Sequence, residues 1–429
     1  MSKVIQLGLF FLFNSYLLNK IITIRTRPNL SQVNDKKIVK EINLNTPNKT
    51  INTFHGQYKN FSSPFIHLVR GPAEVTVVGT CQVLGKDVSN NKVSIAAGKI
   101  LPFEISSDSK INIELGESGK SWITDYFNAG TAIWQDIIRK IFVEKVRTIL
   151  IVGDTDTGKS TLATYILNLA LKNAYRPAII DADPGQGDLA PPNAIGSAVV
   201  TEQITDLREI NAQFFEFIGN TSPLGFEDII IKAVKNALKK IHAYCNLCIF
   251  NTDGYILNKG IDYKINIAKE LQPDIIVCLG ELPVFDRFKV KTSSIVLYGR
   301  SPYKMKKSRN ERSERRLTQY IRYIIEHGKN KIITRELKRT MFVYRGITYS
   351  RIRMDNHGFL LLGRGVQLKP KKLGGMFVGL GLQENIVGFG IITTVSPYRI
   401  SIQTTTSIFN KVYLSNSGIS KYNTLEFRT

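Results

Sequence analysis

Eight consecutive residues, Gly153-Asp154-Thr155-Asp156-Thr157-Gly158-Lys159-Ser160, constrain this chain more than any other feature. They satisfy the phosphate-cradling pattern G-x-x-x-x-G-K-[ST]. A β-branched run, Thr148-Ile149-Leu150-Ile151-Val152, precedes them and has the character of a buried parallel strand. After them, Leu162, Tyr165, Ile166 and Leu169 recur at helical spacing between Thr161 and Lys172. Strand, glycine loop and helix together let backbone N–H groups and a helix N-terminus surround a polyphosphate. The nucleotide-binding set is therefore expected to be Gly153, Asp154, Thr155, Asp156, Thr157, Gly158, Lys159, Ser160 and Thr161. In it Lys159 reaches the β- and γ-phosphates and the Ser160 hydroxyl ligates Mg²⁺. The loop alone does not say what receives the phosphate.

The 429 residues favour two or three domains, and the net charge of +23 is far outside the ordinary. Such an excess points to a polyanionic partner, nucleic acid first and an anionic membrane surface second. A lysine-rich surface that serves only solvation is the plainer alternative. Four cysteines in a chain this long fit a reducing compartment and argue against a disulfide framework. Cys245 and Cys248 form one C-x-x-C, but no second pair completes a tetrahedral metal site, so a packing role is expected. The histidines show no ligand spacing. Residues 1–27 form an apolar extension without an A-x-A cleavage signature, interrupted by Asn14, Ser15, Asn19 and Lys20. An ATP-using enzyme with these features is expected in the cytoplasm, with no stable membrane association.

Pattern divides the rest in three. Residues 28–120 carry short β runs, such as Ala73 to Thr80, separated by turn signals, and read as a small N-terminal β domain. Residues 121–330 alternate strands (Thr148–Val152, Pro177–Asp181, Leu247–Thr252, Asp274–Leu279, Ser294–Gly299) with helices (Phe226–Tyr244, Ile261–Leu271). That alternation predicts an α/β domain with a central parallel sheet covered on both faces. Residues 331–429 return to β runs with glycine-rich turns and read as a C-terminal β domain. The segment Ile324 to Arg339 reads as a charged connector with helical potential.

Three more constellations carry chemistry. Ile179-Ile180-Asp181-Ala182-Asp183-Pro184-Gly185-Gln186-Gly187-Asp188 ends an apolar strand in carboxylates, at the sheet edge where the phosphates would lie. One such carboxylate can organise Mg²⁺ and another can accept a proton from an incoming hydroxyl. Asn251-Thr252-Asp253-Gly254-Tyr255 brings a hydroxyl and a glycine to the same edge, whereas Gly219 to Pro223 is either an anion-binding turn or a plain connection. Finally, Arg309, Arg312 and Arg316 recur at three and four residues within Lys304 to Tyr320. An arginine helix after the last sheet strand is placed to close over transferring phosphate. The competing reading is a solvated charged face.

Taken in order, Gly-x-Thr-Asp-x-Gly-Lys-Ser-Thr, Asp-x-Gly-Gln-Gly, Gly-x-x-Ser-Pro, Asn-Thr-x-Gly-aromatic and an Arg-x-x-Arg-x-x-Arg lid resemble one family. It is the polynucleotide 5′-hydroxyl kinases related to the pre-mRNA cleavage-complex kinase subunit, most of all their archaeal branch. The counterparts are Gly153–Thr161, Asp183–Gly187, Gly219–Pro223, Asn251–Tyr255 and Arg309–Arg315. The resemblance implies a P-loop kinase domain, with ATP and Mg²⁺ as cofactors. The reaction it implies is phosphorylation of an RNA, or also DNA, 5′-hydroxyl, with RNA-processing proteins as partners. It makes Lys159, Asp183, Arg309, Arg312 and Arg315 catalytic, Asp183 as base, and gives Ser160 and Asp183 to the metal. Gln186, Thr252, Gly254 and Tyr255 become a clasp facing the phosphates and the substrate end, with Arg316 an alternative lid register. The chain departs from the family at Tyr255, where relatives commonly carry Trp. A non-catalytic ATP-binding scaffold subunit is the main rival. A deviant-loop switch ATPase or a GTPase is disfavoured by Asp154 where that class has lysine, and by the absence of an Asn-Lys-x-Asp motif.

Overall fold

The computed structural model describes residues 52–57, 65–107, 109–125, 131–301, 306–326, 331–355, 358–363, 367–368, 373–419 and 424–426. The apolar extension expected over residues 1–27 lies outside them. Among the described residues no helix is long and apolar enough to cross a membrane.

In the N-terminal region, period-two patterning sets the fold. Along Ala73–Val78 the residues Ala73, Val75 and Val77 are buried while Thr76 and Val78 face water. Two antiparallel sheets result, one of four strands and one of five. They enclose Val75, Val83, Leu101, Phe103 and Ile113. The strand Lys120–Asp125 pairs along its length with Phe65–Arg70 in the five-stranded sheet. The boundary expected at 120/121 therefore falls inside a strand of the N-terminal region.

The central region begins with α1 (Gln135–Val143) and β1 (Thr148–Gly153), followed by α2 (Lys159–Lys172), β2 (Pro177–Ala182), β3 (Ala194–Val199) and β4 (Phe214–Phe217). Then come α3 (Glu227–Ile241), β5 (Leu247–Thr252), α4 (Lys259–Leu271), β6 (Ile275–Leu279), α5 (Asp286–Lys291), β7 (Ile295–Gly299) and α6 (Arg309–Ile321). The sheet order is β4-β3-β2-β5-β1-β6-β7. β2, β5, β1, β6 and β7 run parallel. The first four carry near-continuous apolar runs, as burial on both faces requires, while β7 is an edge strand with Ile295 and Tyr298 exposed. One core cluster lies on each face, around Phe250 and Ile230 on one side and Ile151 and Ile166 on the other. The expected parallel sheet is extended at one edge by β3 and β4, which pair antiparallel.

The C-terminal strands form one ten-stranded sheet. The segment expected to be a helical connector contains the strand Lys331–Glu336, paired with Arg399–Thr404. Its charged side chains suit an edge strand, which they protect from further pairing. This sheet packs on β4 through rings: Phe215 meets Phe389 edge-on at 5.1 Å, and Phe217 lies 6.2 Å from Phe377. Tyr320 of α6 joins the same cluster, 4.6 Å from Phe377. The C-terminal sheet thus holds the end of the arginine helix in place.

Candidate active site

The phosphate loop follows β1, whose residues from Ile149 to Gly153 are all buried. Gly158 has φ +92° at the start of α2, a conformation that only glycine adopts without strain. The Lys159 ammonium donates to the carbonyls of Gly153 at 3.0 Å and Asp154 at 2.6 Å, which curls the loop around it. Burial lowers its pKa to about 8, and Asp183 opposes that shift. Gly254 lets the chain after β5 press on this loop, since a Cβ there would stand 2.4 Å from the Thr155 methyl.

Strand register then assembles the carboxylate side. Asp181 pairs with Asn251 across β2 and β5, and Asn251 lies level with Ile151 of β1. From there the Asn251 amide donates to Asp181 Oδ1 at 2.9 Å and to Ser160 Oγ at 3.2 Å. Asp183 Oδ1 accepts from the backbone N–H groups of Gly185 at 2.9 Å and Gln186 at 2.8 Å. Burial, then the neighbouring Asp253, raise the Asp183 pKa, while those N–H groups and Lys159 pull against the rise. Asp181 is pushed up to about 7 by burial and by Asp188 and Asp183. Asp253 is paired with Lys264 at 2.7 Å and accepts from Tyr263 at 3.0 Å, so it braces the wall from below.

The arginine helix α6 closes the top. Ser308 caps it in a reciprocal box with Glu311, and Glu311 also pairs with Arg70 at the end of an N-terminal strand. Arg312 donates to Asp156 in the phosphate loop at 2.7 Å, and Arg315 pairs with Asp188. Gln186 donates to the Arg312 carbonyl at 3.2 Å, and Gln319 donates to the carbonyls of Gly187 and Asp188. Beneath these groups lies an open cavity of about 140 Å³.

Of the residues singled out from the sequence, Thr155 to Thr161, Asp183, Gln186, Thr252, Gly254, Arg312 and Arg315 all line this cavity. Gly153 and Asp154 support it through the carbonyls that hold Lys159. Thr252 lines it, but its hydroxyl is donated to the Ile151 carbonyl at 2.8 Å. Two expectations need correction. Arg309 is exposed at the start of α6 and does not line the cavity, because its side chain leaves the helix on the solvent side. Tyr255 is half-buried and packs against the core beside Tyr263, with ring centroids 6.3 Å apart, and does not line it either. The Gly219–Pro223 turn is also outside the cavity; Gly219 accepts a hydrogen bond from Asn416 of the C-terminal sheet at 2.7 Å. Sequence reasoning missed Asn251, Asp188, Lys307 and the N-terminal pair Arg70 and Lys99, all of which line the cavity. Asn251, Asp188 and Lys307 stood inside quoted segments without being singled out; Arg70 and Lys99 carry no local signal.

A glycine loop between a parallel strand and a helix, with carboxylates on the adjacent strand edge, defines a P-loop nucleotide-binding domain. Residues 153–326 match the family described as mRNA cleavage and polyadenylation factor CLP1 P-loop. The chain is 31% identical over 186 residues to a polyribonucleotide 5′-hydroxyl-kinase of Pyrococcus horikoshii, covering 42% of this chain and 50% of that one. It is 26% identical over 214 residues to the polyribonucleotide 5′-hydroxyl-kinase Clp1 of Bos taurus, covering 46% and 50%. The chain spans about half the length of the curated relatives it matches. Its fold is similar to that of Clp1p in the Clp1p-Pcf11p complex, with a TM-score of 0.63 at 13% identity over 86% of this chain and 98% of that one.

Proposed function

We propose that this protein is an ATP- and Mg²⁺-dependent kinase that transfers the γ-phosphate to the 5′-hydroxyl of RNA, with DNA as the alternative acceptor. The observation that carries the proposal is the convergence of Lys159, Asp183, Arg312 and Arg315 on one cavity. Lys159 is the group for the β- and γ-phosphates, and loop N–H groups at the start of α2 cradle them. Asp183 is the base for the 5′-hydroxyl. Its raised pKa suits a group that takes up a proton during the reaction, and two backbone N–H groups hold its other function, orientation. Arg312 and Arg315 are the cations for charge developing on the transferring group.

The residues fit a divalent cation. Ser160 and Asp183 supply oxygen ligands. Among the described residues, Asn251 Oδ1 and Gln186 Oε1 are buried acceptors without a hydrogen-bond partner. Both belong to the residues lining the cavity and are suited to accept hydrogen bonds from metal-bound water. When bound, Mg²⁺ would neutralise phosphate charge and orient the γ-phosphoryl group.

The net charge of +23 supports a polyanionic substrate. The named relatives support a polyribonucleotide, and the Clp1p-Pcf11p complex supports assembly with RNA-processing proteins. The four free cysteines accord with a reducing, cytoplasmic setting. The test is 5′-end labelling of RNA and DNA oligonucleotides with γ-labelled ATP. Label on 5′-hydroxyl ends supports the proposal; ATP binding without label on any oligonucleotide favours the scaffold reading.

A further inference from the structure

Asp156 belongs to the phosphate loop by sequence, yet its carboxylate is occupied by the lid. Oδ2 accepts from the Lys307 backbone N–H at 2.9 Å and from the Arg312 guanidinium at 2.7 Å, and the Lys307 ammonium stands 3.8 Å from Oδ1. Residues 307 and 312 flank the first turn of α6, so these contacts pin the start of the helix to the loop.

Two further observations separate Asp156 from a phosphate ligand. A carboxylate carries no proton to donate to a phosphate oxygen and repels it by charge. It is also held at φ +60°, a left-handed conformation that Asp tolerates. The other lid carboxylate differs. Asp188 has its side chain 2% exposed and keeps Arg208 at 3.7 Å besides Arg315, so it retains a cation when the lid lifts. For Asp156, every contact given for the carboxylate among the described residues comes from 307 and 312.

We infer that Asp156 is a lid-positioning residue: it latches the arginine helix onto the phosphate loop until nucleotide phosphate competes for Arg312. Lid closure and phosphate binding are then coupled through one guanidinium. With the lid open, Asp156 is an unneutralised anion beside the phosphates and opposes their binding. With the lid down and no nucleotide, Arg312 is held ready at the loop. Bound triphosphate takes over the guanidinium, and the lid stays closed on phosphate rather than on Asp156. The identity of the phosphate acceptor rests on the kinase proposal; the latch itself does not.

The experiment is hydrogen exchange of the full chain over residues 306–321, with and without ATP and Mg²⁺, for wild type and Asp156→Asn. Asparagine tolerates the left-handed backbone and removes only the charge. Asp156→Gly, which relaxes the backbone altogether, is the second variant should the first fold poorly. Without nucleotide, exchange at 307–316 should accelerate at least about tenfold in either variant, and ATP with Mg²⁺ should restore protection. ATP affinity should rise by about threefold or more, because a like charge leaves the phosphate site. Arg312→Ala should accelerate the same amides in wild type and add nothing in the Asp156→Asn background. Unchanged exchange in both Asp156 variants, or weakened ATP binding as for a lost phosphate ligand, overturns the latch. End labelling by the wild type, run in parallel, reports on the kinase proposal separately.

Discussion

Asn251 and Ser160, 91 positions apart in sequence, meet at 3.2 Å because β5 runs beside β1 in register. The same amide nitrogen holds Asp181 at 2.9 Å. One neutral donor thus holds the phosphate-loop serine and keeps a buried carboxylate satisfied.

Asn251→Ala should therefore do two things. It should raise the Mg²⁺ concentration needed for half-maximal turnover, because Ser160 loses its orientation. It should also cost about 1–3 kcal/mol of stability, the usual penalty for leaving a buried polar group without its partner. Mg²⁺ titrations and denaturant unfolding check the two effects. A variant indistinguishable from wild type in both would remove Asn251 from the site.

The lid arginines should separate by position. Arg312→Ala and Arg315→Ala should each lower turnover at least about tenfold, a conservative threshold beside the roughly 10³–10⁵ attributed to arginine fingers. Arg312→Lys should remain impaired, since lysine lacks the planar fork. Arg309→Ala should stay within about threefold, because that side chain is exposed and outside the cavity. Steady-state kinetics across the four variants decides. An Arg309 effect matching Arg312 would mean that the helix turns on substrate binding.

Much of this arrangement is legible in the sequence. The glycine loop, the Asp183 turn and Arg312 follow from local patterns with strong stereochemical requirements, whereas Arg315 comes from the family resemblance, the local spacing pointing to Arg316. The rest depended on contacts that local pattern does not encode. β3 (Ala194–Val199) is almost wholly buried and so shows no alternation, and its antiparallel return could not be read. Tyr255 stood beside a glycine at the sheet edge, yet the ring turned inward to Tyr263. Asp188 closed the quoted carboxylate run, but its pairing with Arg315, 127 positions away, is a tertiary contact that local pattern does not encode. Charge misled at Lys331–Glu336, where an edge strand carries the polar residues expected of a solvated helix.

A pH effect should arise away from the site. His67 is 1% exposed in the N-terminal strand Phe65–Arg70, and burial lowers its pKa to about 4. The unfolded chain takes up a proton near pH 6.5 that the folded chain resists until about pH 4. Stability is therefore fully present above about 6.5 and is lost as pH falls through that window, by about 3 kcal/mol from this one group. His67→Phe should flatten this part of the pH–stability curve. A curve with the same slope between pH 6.5 and 4 in that variant would assign the loss to other groups.

Asp183→Asn should keep ATP binding within a few-fold and lower phosphoryl transfer by on the order of 10²–10⁴, the range for losing a general base. Isothermal titration with ATP and single-turnover transfer separate the two. Near-normal transfer would move the base to Asp181, whose pKa is also raised.

Transfer to a 5′-hydroxyl end is tested most directly by incubating the full chain with γ-labelled ATP, Mg²⁺ and matched RNA and DNA oligonucleotides bearing either a 5′-hydroxyl or a 5′-phosphate. Label should appear on 5′-hydroxyl ends, be absent from 5′-phosphate ends, and disappear with Lys159→Ala. Protein that binds ATP but leaves every 5′-hydroxyl end unlabelled would contradict the assignment.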